Sequence, residues 1–69
     1  MKLSAKNQLK GKVKSITAGA VNCEVVIELP GGSLITSVIT KGSVESLGLK
    51  VGVTAYAIIK ASNVIVGVD

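Results

Sequence analysis

Hydrogen-bond donors and positive charges gather at three places in this chain. The first is Ser4-Ala5-Lys6, near the N-terminus, and the second is Thr40-Lys41-Gly42-Ser43, in the middle. The third is Lys60-Ala61-Ser62, near the C-terminus. A small anion accepts hydrogen bonds from hydroxyls, backbone N–H groups and lysine ammonium groups, and bonds from charged donors are roughly twice as strong as neutral ones. The chemistry that these residues indicate is therefore anion binding.

The residues that most enzymes use for catalysis are scarce. The chain has no His, and its only carboxylate side chains are Glu24, Glu28, Glu45 and Asp69. The single cysteine, Cys23, has no histidine to activate it, and its apolar strand position favours an inert buried thiol. A His/Cys zinc site is excluded, and no glycine-rich phosphate loop is present. The sequence predicts a binding protein with no catalytic residues and no cation ligands.

The length and composition predict one domain, residues 1–69, that associates with copies of itself. The chain is 48% hydrophobic but contains no Phe and no Trp. Domains below roughly 70–80 residues usually need disulfides, a metal or oligomerisation, and the first two are absent here. No apolar run approaches the ~20 residues of a membrane span, and the polar residues after Met1-Lys2-Leu3 are not the apolar stretch expected of a signal peptide. The cytoplasm is the expected location.

The net charge of +4 comes from eight lysines and no arginine. Five of them fall in the first fourteen residues: Lys2, Lys6, Lys10, Lys12 and Lys14. The last three alternate with Gly11 and Val13, which indicates either a solvated strand face or a surface for an anionic partner. A nucleic-acid-binding OB module is the alternative function. Composition disfavours it, because single strands stack on aromatic side chains and only Tyr56 is available.

The apolar residues recur with a period of two, which predicts five β-strands. The predicted strands are Leu9–Ile16, Asn22–Leu29, Ser33–Thr40, Thr54–Lys60 and Val64–Val68. The second strand has the clearest alternation, with Cys23, Val25, Ile27 and Leu29 on one face. Pro30-Gly31-Gly32 predicts the turn of a hairpin between the second and third strands.

A short helical turn is predicted between the third and fourth strands. Ser43 is its expected N-cap, Val44 and Leu47 are expected to point inward, and Gly48 occupies the C′ position. Five strands with one short helix are typical of a small all-β, OB-like barrel. Exposed edge strands of such a sheet can pair between subunits.

The N-terminal segment also carries a family resemblance. Ser4-Ala5-Lys6-Asn7 is similar to the Ser-Ala-Arg-Asn segment that opens the molbindins, or Mop proteins, which are small molybdate-binding domains. The similarity covers nearly the whole chain, through residues 9–13, 35–37, 43–48 and 59–62. The main departure is Lys6, where the family has Arg. Lysine keeps the charge but cannot make the planar, two-pronged contact of a guanidinium.

The resemblance implies that the three donor segments form one oxyanion pocket between subunits. The implied contacts are the side chains of Ser4, Lys6 and Lys60, the main chain near Ala5 and Ala61, the neighbouring Ser62, and Thr40 and Ser43 of an adjacent chain. The simpler alternatives are a loose N-terminus, a strand-end lysine at position 60, a plain helix cap at Ser43 and a plain turn at Ser62-Asn63. A second oxyanion site is implied at Gly19, Ala20 and Val21, where an ordinary loop is the alternative.

The resemblance also implies the assembly and the role of the protein. Strand-exchanged dimers would assemble into a hexamer, as a trimer of dimers. The ligand would be molybdate, and tungstate by chemical similarity, bound reversibly for intracellular molybdenum storage and homeostasis. Sensing of molybdate for a separate partner protein is a further alternative.

Overall fold

Four β-strands form a single antiparallel sheet in the computed structural model, which describes residues 1–69. The strands are β1 (Asn7–Ala18), β2 (Asn22–Glu28), β3 (Leu34–Thr40) and β4 (Thr54–Ile59). One helix, α1 (Lys41–Ser46), follows β3 directly, and a 3-10 turn (Ala61–Asn63) follows β4. The strand order in the sheet is β3-β2-β1-β4. The sheet curls into half of an OB-like barrel.

The long strand β1 organises this sheet, because it pairs with β4 along its first half and with β2 along its second half. The β1–β2 register shifts between Val13 and Ser15, which marks a β-bulge. A bulge bends its strand and increases the local twist, so it accounts for the curl of the sheet. Gly11 lies just before this bend. A Cβ atom there would lie 2.8 Å from Cγ2 of Ile27 and closer still to the carbonyl oxygen of Glu28.

The core is small and lies on the concave side of the sheet. Val13, Val25, Ile27 and Ala57 form its buried centre, and Cys23 is also buried. The expected inward face of the second strand is confirmed, with Leu29 packed at its margin. Only six of 69 residues are buried, and the surface area is 5260 Å². A compact monomer of 7.0 kDa is expected to expose about 4,000 Å². This chain by itself therefore leaves an unusually large surface uncovered.

The N-cap of α1 is Thr40, so the prediction of Ser43 as the cap is wrong. The Thr40 hydroxyl oxygen accepts a hydrogen bond from the backbone N–H of Ser43 at 3.1 Å. The helix begins three residues earlier than expected because a hydroxyl at position 40 satisfies a donor of the first turn. Ser43 thus lies inside the helix.

The end of α1 has the predicted C′ glycine, and of the two residues expected to point inward, Val44 packs against the core as predicted and Leu47 does not. Gly48 has a φ of 63°. Its N–H bonds to the carbonyl of Glu45, while that of Leu49 bonds to the carbonyl of Val44. This pair of bonds is the Schellman motif. The motif turns Leu49 back onto the core and leaves Leu47 68% exposed, so the inward placement of Leu47 is wrong.

The fifth predicted strand, Val64–Val68, does not form within the chain. The 3-10 turn directs the chain away from β4, and residues 65–69 make no backbone hydrogen bond within the chain. Ile65, Val66 and Val68 are between 86% and 96% exposed. The alternation of apolar residues predicts strand conformation but not a pairing partner, and this segment has no partner in its own chain. No helix has the length and apolar character of a membrane span.

Candidate oxyanion-binding site

Two of the three donor segments meet in one open groove. Its lining includes Ser4, Ala5 and Lys6 on one side and Lys60, Ala61 and Ser62 on the other. Ile58 and Asn63 complete the lining, and the groove has a volume of about 720 Å³. No carboxylate side chain lines it. The groove is therefore a positively charged surface that is much larger than a four-oxygen anion requires.

The pairing of β1 with β4 brings these segments together. Asn7, the first residue of β1, lies opposite Ile59, the last residue of β4. Extending this antiparallel register by one residue places Lys6 and Lys60 at the same end of the sheet. Two like charges at neighbouring positions repel each other, and a dianion between them would neutralise both.

The hydroxyls of the groove are available to a ligand. The side chains of Ser4 and Ser62 make no hydrogen bond within the chain. Ser4, Lys6, Lys60 and Ser62 are all exposed, whereas Ala5 is half-buried. These side chains can turn toward an anion without breaking a hydrogen bond or ion pair within the chain.

Thr40 and Ser43 do not belong to this groove in a single chain. Thr40 ends β3, at one edge of the sheet, and Lys60 follows β4, at the other edge. They also lie near opposite ends of the 12-residue strand β1, since Asn7 pairs with Ile59 while Ala18 pairs with Cys23, which in turn pairs with Ile39. No local rearrangement within one subunit would bring Thr40 to Lys60.

The Thr40–Ser43 segment instead lies beside the expected second site. The backbone N–H of Lys41 donates to the carbonyl of Val21 at 3.1 Å. The hydroxyls of Thr40 and Ser43 are 2.9 Å apart and hydrogen-bonded. In the loop between β1 and β2, the N–H of Gly19 already donates to the carbonyl of Asn22 at 2.7 Å. Of the three residues expected there, only Ala20 and Val21 keep free backbone donors.

Two other grooves are less suited to a small dianion. One runs beside Lys10 and Lys12, but Glu28 also lines it and its carboxylate would repel the ligand. Lys14 lies 3.9 Å from that carboxylate. The other groove lies on the concave face, and eight of its ten lining residues are hydrophobic. The groove between Lys6 and Lys60 is therefore the best candidate.

Known proteins are similar to this chain in both sequence and fold. The TOBE domain family matches residues 3–66. The chain belongs to the TOBE domain family. A Haemophilus influenzae protein named "Probable molybdenum-pterin-binding protein" is 54% identical over 69 residues, the full length of both chains.

Solved structures agree with this membership. The TOBE domain described above has a TM-score of 0.92 with MopII from Clostridium pasteurianum, at 46% identity over 97% of this chain and all of that one. It has a TM-score of 0.96 with the cytoplasmic molybdate-binding protein ModG, solved with molybdate bound, at 58% identity. That match covers 100% of this chain and 49% of ModG. The resemblance to the Mop proteins is thus confirmed.

Two amide side chains of this TOBE domain, those of Asn7 and Gln8, donate to backbone carbonyls next to the groove. The Nδ2 atom of Asn7 donates to the carbonyl of Ile59 at 3.1 Å, and the Nε2 atom of Gln8 donates to the carbonyl of Ala5 at 2.7 Å. Neither side chain lines the groove. Their position immediately after Lys6 was the one feature of the sequence that connected them with the site. Only the structure shows which carbonyl groups they reach.

Proposed function

We propose that this chain binds molybdate reversibly, with Lys6 and Lys60 as its principal cationic contacts. The observation that carries the proposal is the shared groove, which holds both lysines and no carboxylate. The names of the relatives support this ligand: one is named for molybdenum-pterin binding, and ModG was solved with molybdate. Tungstate carries the same charge in the same tetrahedral shape, so we propose that it binds at this site as well.

The proposed pocket combines residues of two subunits. Ser4, Lys6, Lys60 and Ser62 contribute side chains, with main-chain donors near Ala5 and Ala61. These residues cover one side of the ligand and leave the groove open to solvent. Thr40 and Ser43 of a neighbouring subunit close it in our proposal, since the same residues of one chain lie at the opposite edge of the sheet. Ala20 and Val21, beside that segment, provide the donors of the proposed second oxyanion site, in which Gly19 serves as the turn residue.

The proposed assembly is a hexamer built as a trimer of strand-exchanged dimers. The exposed segment Val64–Val68 provides the exchanged strand, and the free edges of β3 and β4 provide places where a strand can pair. The chain's surface exceeds that of a compact monomer, as described above, and burial between subunits would remove the excess. Apolar area contributes about 25 cal/mol for each Å² buried, so self-association is favourable.

The proposed biological role is intracellular storage and homeostasis of molybdenum in the cytoplasm. In this proposal, residues 1–69 form a single binding domain without a catalytic role.

Isothermal titration of the purified protein with molybdate tests the proposal, with sulfate titrated in parallel at one ionic strength. We expect saturable molybdate binding, and the sulfate titration measures the selectivity of the site between the two dianions. A non-integer number of ligands bound per chain would indicate sites shared between subunits and would support the two-subunit pocket. Absence of heat with molybdate and tungstate would contradict the proposed function, and a single-stranded oligonucleotide would then be the next ligand to titrate.

A further inference from the structure

We propose that Asn7 and Gln8 are positioning residues that hold the two cationic segments of the groove in place before the ligand arrives. The proposal rests on the proposed function, since it concerns the same groove. Neither amide lines the groove, but each bonds to a carbonyl beside one of its two lysines.

Gln8 fastens the N-terminal segment. Its Nε2 atom donates to the carbonyl oxygen of Ala5 at 2.7 Å, across three residues. Ala5 lies between Ser4 and Lys6, so this bond restricts the backbone on both sides of it. The bond also keeps the carbonyl oxygen of Ala5 directed at Gln8. A carbonyl turned toward the groove would repel an anion.

Asn7 fastens the C-terminal segment. Its Nδ2 atom donates to the carbonyl oxygen of Ile59 at 3.1 Å, in a partly buried position. Asn7 and Ile59 are also the last paired residues of the β1–β4 ladder, and Lys60 follows directly. Strand ends fray readily, so a side-chain bond at this pair keeps Lys60 close to Lys6.

The two amides can act on different segments because they are consecutive residues of one strand. Successive side chains of a strand point to opposite faces, so the two amides do not compete for one carbonyl. Asn7 bonds to Ile59 of β4, and Gln8 bonds back to Ala5. Ordering flexible lysines at the moment of binding costs entropy. Two segments fixed in advance avoid much of this cost, so the amides should increase affinity without touching the ligand.

Near-isosteric apolar variants test this inference. Gln8→Met and Asn7→Leu each remove one donor and keep the volume and charge of the side chain close to the original. The readouts are backbone NMR order parameters in the ligand-free protein and the Kd for molybdate. Thr36→Val is the matched control, since Thr36 is an exposed residue of β3 without a side-chain hydrogen bond.

Each variant has a distinct expected signature. Gln8→Met lowers the order parameters of residues 4–6 from about 0.85 toward 0.6, and Asn7→Leu does so at residues 60–62. Each raises the Kd for molybdate by about three- to tenfold, which corresponds to the loss of one neutral hydrogen bond. The order parameters of the core strands stay unchanged, which a general loss of stability would not allow.

Two results would overturn the inference. The first is that both variants have wild-type order parameters at residues 4–6 and 60–62. The second is that these segments become mobile while the Kd for molybdate stays the same. A wild-type protein that binds no molybdate would refute the proposed function and, with it, a role of the amides in ligand affinity. The order parameters would still decide whether they fasten the two segments.

Discussion

Asn7 lies opposite Ile59 at the end of the β1–β4 ladder, and this one pair brings Lys6 and Lys60 to the same end of the sheet. The two lysines are 54 positions apart in the sequence, yet they line one groove. Their mutual repulsion is a cost that a bound dianion would relieve. Electrostatic complementarity between two lysines and one dianion is the basis of the proposed binding site.

Removal of either charge should weaken molybdate binding. Lys6→Ala and Lys60→Ala are each expected to cost about 1.5–3 kcal/mol, the range for a hydrogen bond to a charged group. Isothermal titration at constant ionic strength measures this loss. Lys50→Ala is the control, because Lys50 is exposed and lies outside the groove. Unchanged affinity in Lys6→Ala would remove Lys6 from the site.

Lys6→Arg should preserve binding, because it keeps the positive charge and adds a planar pair of donors. We expect the Kd for molybdate to be equal to or lower than that of the wild type. The same titration against sulfate reports whether the guanidinium changes selectivity. A loss as large as that of Lys6→Ala would mean that the groove accepts only the slender lysine side chain.

Thr40 and Ser43 should have separable roles. Thr40→Val removes the N-cap of α1, so it should destabilise the protein by about 1 kcal/mol as well as weaken binding. Ser43→Ala leaves the cap intact and should weaken binding with little change in stability. Urea unfolding and molybdate titration, performed on both variants, separate the two effects. Equal loss of stability in both variants would contradict this division.

Gly11→Ala should destabilise the fold, because its Cβ would collide with the backbone of Glu28 and the side chain of Ile27. Overpacking of this kind costs about 1–3 kcal/mol. Lys12→Ala, the adjacent exposed position of β1, should change stability by less than about 0.5 kcal/mol. Urea denaturation compares the two. A Gly11→Ala protein as stable as the wild type would show that β2 can move away from β1 at low cost.

Assembly should depend on the C-terminal segment. Ile65 is 94% exposed in the single chain, so Ile65→Asp removes no contact within a subunit. We expect this variant to form smaller species than the wild type by size-exclusion chromatography with light scattering. Val51→Asp is the control, since Val51 is 67% exposed in a turn. An unchanged mass for Ile65→Asp would exclude this segment from the interface.

Local sequence patterns were enough to predict four strands, the hairpin at Pro30 and the C′ glycine of the helix. Local patterns were not enough to predict features that depend on a distant part of the chain or on another chain. Thr40 and Ser43 are both good caps by residue type, and only the end of β3 decides between them. Residues 64–68 alternate like a strand, but a strand also needs an edge to pair with, and the sequence does not specify whose edge that is.

The candidate site was predictable to a similar extent. The donor-rich segments around Lys6 and Lys60 are visible in the sequence, but their convergence depends on the register between β1 and β4. That register is a long-range property, which a single sequence does not display. The hydrogen bonds of Asn7 and Gln8 were missed because residue type and position do not indicate which carbonyl oxygen an amide side chain will reach.

Crystals grown with molybdate, measured at the molybdenum absorption edge, test the central claim most directly. We predict an anomalous peak between Lys6 and Lys60 of one subunit, with Thr40 and Ser43 of a second subunit on its other side. A peak confined to another surface, such as the groove beside Lys10 and Lys12, would contradict the proposed site. A peak between the lysines with no second subunit near it would contradict the two-subunit pocket.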